Sequence, residues 1–317
     1  FMEVRRKMQN KNFDFLGKKK IFLTLSGALI VIILIATAIF GVDLSINFKG
    51  GTILTYVYNG EISDTQFKSD VENITKTTAV VTIGEDFATK SKTMNVSLAS
   101  NEGLTADKQF ELTNTLKEKY AENELDLISS SDVKPTAGKE FFVKCMVAIG
   151  LAFLVTVIYI AFRFKAVSGW SAGVFAIIGL IHDVIIVLGA FVLFRYEINA
   201  NFMAVVLTVL GYSINDTIVV YDRIRENKKL AGKRGDIVEI VNRSLNECIQ
   251  RTINTTITTV TAMICVSVVG SVYGITSILS FSTPLIFGMI SGVYSTMFVV
   301  CPLWILWQTR GKKKKNA

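Results

Sequence analysis

The stretch FMAVVLTVLGYSINDTIVVY, residues 202–221, runs for twenty residues with one charged group, Asp216. A helix of that length crosses the roughly 30 Å hydrocarbon core of a bilayer, so the run reads as a membrane span with a carboxyl group inside it. Five other segments pass the same length test: residues 21–40, 142–162, 171–194, 249–269 and 284–306. The whole chain agrees with them. Of its 317 residues 50% are hydrophobic and 19% charged, and its mean hydropathy is +0.45. That balance excludes a disordered chain and speaks against an ordinary soluble domain. The expected fold class is a polytopic α-helical membrane protein with six transmembrane helices. A secretory signal peptide is the competing reading of residues 21–40, which follow a basic stretch, but the run is too long and no small-residue cleavage site follows it.

The formal charge of +8 is placed as a topology signal, because lysines and arginines flank the apolar runs without the interleaved aromatics of a base-stacking surface. With six alternating spans, the basic tail of Arg5, Arg6 and Lys7, the Arg163/Lys165 turn, the Arg223 to Arg234 loop and the C-terminal lysines fall on one side. The positive-inside rule makes that side cytoplasmic. The expected division is a cytoplasmic segment 1–20, a first span 21–40, an external domain 41–140, a five-helix remainder 141–308 and a basic cytoplasmic tail 309–317. Residues 41–140 carry more acids than lysines and no arginine. Their pattern reads strand 52–58, helix 63–74, strands 79–83 and 93–98, helix 105–120 and strand 125–129, with Ser63 and Thr105 placed to cap the helices. That order predicts a ferredoxin-like α+β sandwich. Its acidic pairs, Glu85/Asp86 and Glu122/Glu124, read as solvated turns.

No cofactor or metal is expected. His182 is the only histidine, the four cysteines are scattered without ligand spacing, and Gly50-Gly51 is not followed by a phosphate-loop Gly-Lys-Ser/Thr. The groups that do call for an explanation are polar ones inside the membrane, each costing at least ~2.5–3.5 kcal/mol on insertion scales. They are His182/Asp183 in the third run, Asn215 and Asp216 in the fourth, and Arg251 at the start of the fifth. Asp216 lies six positions before Asp222, roughly 9 Å inside the cytoplasmic end of its span, and Thr255 lies at about the same depth on the next. Arg251 is one turn nearer the cytoplasm, within reach of Asp216 if the two helices are neighbours. A carboxylate paired with a guanidinium that can move away is a proton-sensitive switch. A static pair, or an arginine that snorkels to the headgroups, has the same spacing. The threonines at 255, 256, 258, 259 and 261 can hold water or bond their own i−4 carbonyls. Adjacent residues point about 100° apart on a helix, so His182 and Asp183 are expected not to share a partner.

Across nearly its whole length the chain resembles the SecF branch of the SecD/SecF family of bacterial protein-export membrane proteins, in the resistance-nodulation-division superfamily. The resemblance is carried by Asn47-Phe48-Lys49-Gly50-Gly51-Thr52, residues 133–140, His182-Asp183-Val184-Ile185-Ile186, GYSINDTIVVYDRIREN at 211–227, Asn242-Arg243-Ser244-Leu245 and Arg251-Thr252. It departs at Asn47, where the family usually has aspartate, and at Lys134, where glycine is common. What the resemblance implies is a partnership with SecD, use of the proton-motive force, and work on preproteins leaving the SecYEG channel after SecA. It also implies that Asp216, Arg251 and Thr255 take part in proton movement, with a further acid supplied by SecD. Two other readings remain open: a small-molecule or lipid exporter half of the same superfamily, and a non-transporting scaffold.

Overall fold

The computed structural model describes residues 13–85, 91–99, 104–133, 135–165, 168–232 and 235–315. Asp86, Lys134, Lys233, Arg234 and the Arg5, Arg6, Lys7 tail lie outside the described residues. Among the described residues six helices are long and apolar enough to span a membrane. We number the helices α1 (Lys19–Phe40), α2 (Ile46–Lys49), α3 (Asp64–Thr75), α4 (Ala106–Lys119), α5 (Pro135–Arg163), α6 (Gly169–Leu193), α7 (Ala200–Ala231), α8 (Ile237–Val272), α9 (Thr276–Ser295) and α10 (Cys301–Lys315). A π turn, Thr296–Val300, joins α9 to α10 within one span.

Several span ends differ from the sequence expectation: α5 begins at Pro135 rather than 142 and α7 runs on to Ala231 rather than 221, and two helices start well before their apolar runs. The fifth helix begins at Ile237, twelve residues before its apolar run, because residues 237–248 bury Ile237, Ile240, Val241, Leu245 and Cys248 on one face while Asp236 caps the N-terminus through Val238 N. The sixth begins at Thr276, so Pro284 lies inside it rather than at its start.

Helices α6, α7 and α9 form the interior of the bundle, and α1, α5 and α8 keep most of their apolar surface open. Lipid offers no hydrophobic drive for helix association, so close approach by small residues matters more than in water. A methyl group at Gly292 of α9 would lie 3.0 Å from Ser213 Cβ of α7, and one at Gly288 would collide with Val209. At the opposite end of the same helices, Phe15, Phe164, Tyr221 and Trp304 are fully buried together. Their polar ends are satisfied: Tyr221 Oη donates to Ala172 O at 3.0 Å and Trp304 Nε1 to Ser171 Oγ at 3.1 Å.

Between α1 and α5 lie β1 (Gly51–Tyr58), β2 (Ala79–Glu85), β3 (Lys92–Ala99) and β4 (Asp126–Val133). They form one antiparallel sheet in the order β2-β3-β1-β4. With α3 and α4 packed on one face through Phe67, Val71, Leu112 and Leu116, this is the ferredoxin-like sandwich. Ser63 and Thr105 do occupy the N-cap positions, in extended conformations, but neither side chain makes a cap hydrogen bond. β4 runs to Val133, four residues past the alternating pattern. Ser130 and Ser131 have no strand signal of their own; pairing with Leu54 and Ile53 of β1 holds them in the sheet. Gly50 and Gly51, at φ 80° and 142°, turn the chain from α2 into β1. Phe48, just before them, stacks on Phe141 at 5.5 Å and meets Phe142 edge-on at 5.6 Å, tying the domain to the base of α5.

Candidate functional site

Two intramembrane carboxylates, Asp183 of α6 and Asp216 of α7, are in opposite circumstances. Asp183 of α6 is completely buried and fully engaged. Its Oδ1 accepts from Ser291 Oγ at 2.6 Å, and its Oδ2 accepts from Ser213 Oγ at 2.6 Å and Ser295 Oγ at 2.8 Å. Nδ1 of His182 lies 3.2 Å from Oδ1 and 3.3 Å from Ser291 Oγ. The expectation that His182 and Asp183 share no partner is therefore wrong. Both side chains bend toward α9, and Ser291 stands between them. The same seam continues through Thr217, which hydrogen-bonds Thr296 at 2.9 Å where the π turn opens.

Asp216 of α7 is 4% exposed, and its Oδ2 is buried without a hydrogen-bond partner. The ion pair expected with Arg251 is not formed: no salt bridge within 4.0 Å joins them among the described residues. The physical reason is the other environment open to Arg251. It is exposed, and it lines a cavity of about 400 Å³ with Asp222, Arg223, Glu226 and Glu247. Thr255 is also exposed, with its hydroxyl returned to Arg251 O at 2.8 Å. Thr256, Thr258 and Thr259 make the same i−4 bond to their own helix. Thr252 Oγ1 is buried and unpartnered, while Tyr212 Oη and Thr256 Oγ1 meet at 2.9 Å between α7 and α8. Asn215, beside Asp216, is exposed. A polar face made of Asn215, Arg251, Asn254, Thr255 and Thr258 is thus left open on helices of membrane-spanning length.

Sequence reasoning missed the mesh beneath this face. Asp222 accepts from Arg163 at 3.1 Å and Arg225 at 2.8 Å, tying α7 to the end of α5. Arg223 and Asn227 converge on Glu247 of α8 at 2.6 and 2.7 Å, and Arg243 reaches its other oxygen at 2.9 Å. Asn242 Oδ1 accepts from Phe15 N, and Asn246 both accepts from Phe13 N and donates to Phe13 O, all at 2.9 Å. The dense arginines and acids of residues 222–227 hinted at pairing, and Arg225 with Asp222 and Arg223 with Glu226 do pair locally, but the partners that tie α7 to other helices, Arg163 and Glu247, lie twenty or more residues away. Among the described residues no three His, Cys, Asp or Glu side chains converge as metal ligands, and the four cysteines are free.

These features define a polytopic membrane protein whose six-span unit is interrupted after its first helix by a ferredoxin-like domain and carries an unfinished acidic centre within the bundle. The sequence profile of the family described as protein export membrane protein SecD/SecF, C-terminal, matches residues 112–310, and the chain belongs to that family. It is 33% identical over 310 residues to the protein translocase subunit SecF of Petrotoga mobilis, covering 96% of this chain and 99% of that one. It is 29% identical to the protein translocase subunit SecDF of Bacillus subtilis, where 97% of this chain matches 40% of the relative. The crystal structure of SecDF, a translocon-associated membrane protein from Thermus thermophilus, superposes with a TM-score of 0.78 at 28% identity, over 95% of this chain and 39% of that one. The chain thus spans about two fifths of the SecDF proteins it resembles.

Proposed function

We propose that this chain is the SecF component of a bacterial Sec protein-export complex in the plasma membrane, without enzymatic activity of its own. With SecD it uses the proton-motive force to promote the late stage of preprotein translocation through SecYEG after SecA has acted. The observation that carries the reading is the Asp216 carboxyl: buried, lacking a partner for one oxygen, and next to a guanidinium that has not closed on it. A carboxyl so placed can bind a proton or a guanidinium, and an arginine free to approach or withdraw couples the exchange to helix position. Arg251 and Thr255 belong to the same path. His182, Asp183 and Asn215 are secondary members, Asp183 chiefly as the fixed side against which α7 packs.

SecD association is supported by relatives that carry both parts in one chain, and by the open polar face around Asn215 and Thr255, which lipid would leave unsatisfied. In this arrangement both termini and the α7 to α8 loop are cytoplasmic, as the basic flanks require, and residues 41–140 face outward, where the acidic domain meets the emerging preprotein or the SecD domain. Impermeant thiol labelling of single cysteines at Lys76 and Gly232 in intact cells tests the orientation: Lys76→Cys labels, and labelling of Gly232→Cys would invert the topology. The decisive experiment on function is Asp216→Asn. It removes titration at nearly constant size, so proton-dependent export falls to background while the SecD complex is still recovered. Normal export would remove Asp216 from the mechanism.

A further inference from the structure

Helix α1 packs on α6 where Ile33 meets Gly189 and is hydrogen-bonded to α9 through Ser26 and Tyr294 at 2.9 Å, and beside these contacts the three helices leave a groove between them. Two clefts of about 540 and 360 Å³ share Leu29, Ile32, Ile186 and Phe287 as walls and so run into one another. Arg195, just beyond the C-terminus of α6, lines one cleft and His182 lines the other. Thirteen residues separate them, roughly 20 Å along a helix, against roughly 15 Å for the hydrocarbon half of one leaflet.

The two ends of the groove are chemically unlike. At the membrane surface, Arg195 is held at φ 57°, donates to Phe40 O at 3.2 Å and lies 4.8 Å from the centre of the Phe40 ring. It is exposed and has no carboxylate within 4.0 Å among the described residues. Asp43 lines an adjoining small cleft without pairing with it. At the other end His182 is 3% exposed, and its Nε2 has no hydrogen-bond partner.

We propose that this groove is a binding site for an anionic phospholipid of the leaflet on the side of the inserted domain, with its phosphate on Arg195 and one acyl chain laid along α1 to His182. A guanidinium fork fixed at headgroup level is complementary to a phosphodiester. The apolar walls are complementary to a chain of leaflet length. A groove of this volume holds hydrocarbon, whereas a helix is 10–12 Å across. A chain seated there also keeps water from His182 and the serine-held Asp183 behind it.

The test uses the purified full chain in detergent, by native mass spectrometry with added dioleoyl phosphatidylglycerol, dioleoyl phosphatidylcholine, or water-soluble glycerol 1-phosphate. The wild type retains one phosphatidylglycerol in preference to phosphatidylcholine, and glycerol 1-phosphate does not displace it. Arg195→Gln weakens phosphatidylglycerol retention about tenfold and leaves phosphatidylcholine unchanged. Ala36→Phe, which fills the groove between its ends, lowers retention of both lipids. Lys76→Gln, a charge loss on the inserted domain, changes neither. Equal retention of the two lipids by the wild type, or unchanged retention in Arg195→Gln, overturns the proposal. Displacement by glycerol 1-phosphate would make this a simple anion site and overturn it as well. A photo-crosslinker at Leu29 that captures a partner helix in native membranes, rather than lipid, does the same. None of these measurements depends on export, so they stand or fall apart from the role proposed for Asp216.

Discussion

Asp183 and Asp216 are both aspartates in the interior of one helix bundle, and they differ in who satisfies them. Asp183 receives three serine hydroxyls and the edge of His182, all from within this chain, across α6, α7 and α9. For Asp216 one oxygen, Oδ2, is buried without a partner, and Arg251 lines a neighbouring cavity. A buried carboxyl whose partners are all supplied is a fastening, costly to break and with no reason to change state. One left unfinished changes state when a proton, a water or a partner arrives.

The sharpest way to break this contrast is to exchange the outcomes at the two acids. Asp216→Asn abolishes proton-dependent export with little change in thermal stability. Asp183→Ala does the reverse first: it strands three buried hydroxyls and lowers stability in detergent by about 3 kcal/mol or more, and export falls only as the folded protein is lost. If Asp183→Ala leaves the melting temperature unchanged, the fastening role is wrong.

A smaller effect separates a switch from a static pair. Arg251→Met impairs export by removing the charge that acts on Asp216, and Thr255→Val is milder still, because its hydroxyl already bonds its own helix. The double variant Asp216→Asn/Arg251→Met stays inactive; recovery of export in it would mark the two residues as a structural pair.

The smallest effect belongs to a third aspartate, outside the membrane. Burial alone would raise the carboxyl of Asp70, but hydrogen bonds from Lys119 and Tyr120, with the Lys119 charge, hold it below the ordinary carboxylate value. A depressed value in the folded state means that the pair stabilises the domain above the unfolded pKa and that this contribution fades as pH falls through the folded one. For a pair whose lysine is half exposed, the effect is less than about 1 kcal/mol. Thermal melts of the isolated 41–140 domain should therefore show an acid-side loss that Asp70→Asn reduces; identical pH profiles would remove the pair from its stability.

Much of this was legible in the sequence, and the misses have a common origin. Length and hydrophobicity placed six spans, because a bilayer imposes a fixed thickness on any helix that crosses it. Period-two and helical patterns gave the order of the inserted domain for a similar local reason. The extra turns of α8 went unread because their burial depends on the end of α7, and β4 ran long because β1 supplied a partner for serines with no strand signal.

At the acidic centres the division is the same. The sequence by itself put Asp183, Asp216 and Arg251 on helices of membrane-spanning length and set their spacing along them, since one residue advances a helix by a constant rise. Only the tertiary structure decided that Asp183 is enclosed by Ser213, Ser291 and Ser295 while Asp216 and Arg251 remain apart. Spacing along a chain sets depth, but which side chains meet depends on how helices rotate and approach. That is settled by contacts such as Gly292 against Ser213, between residues 79 positions apart.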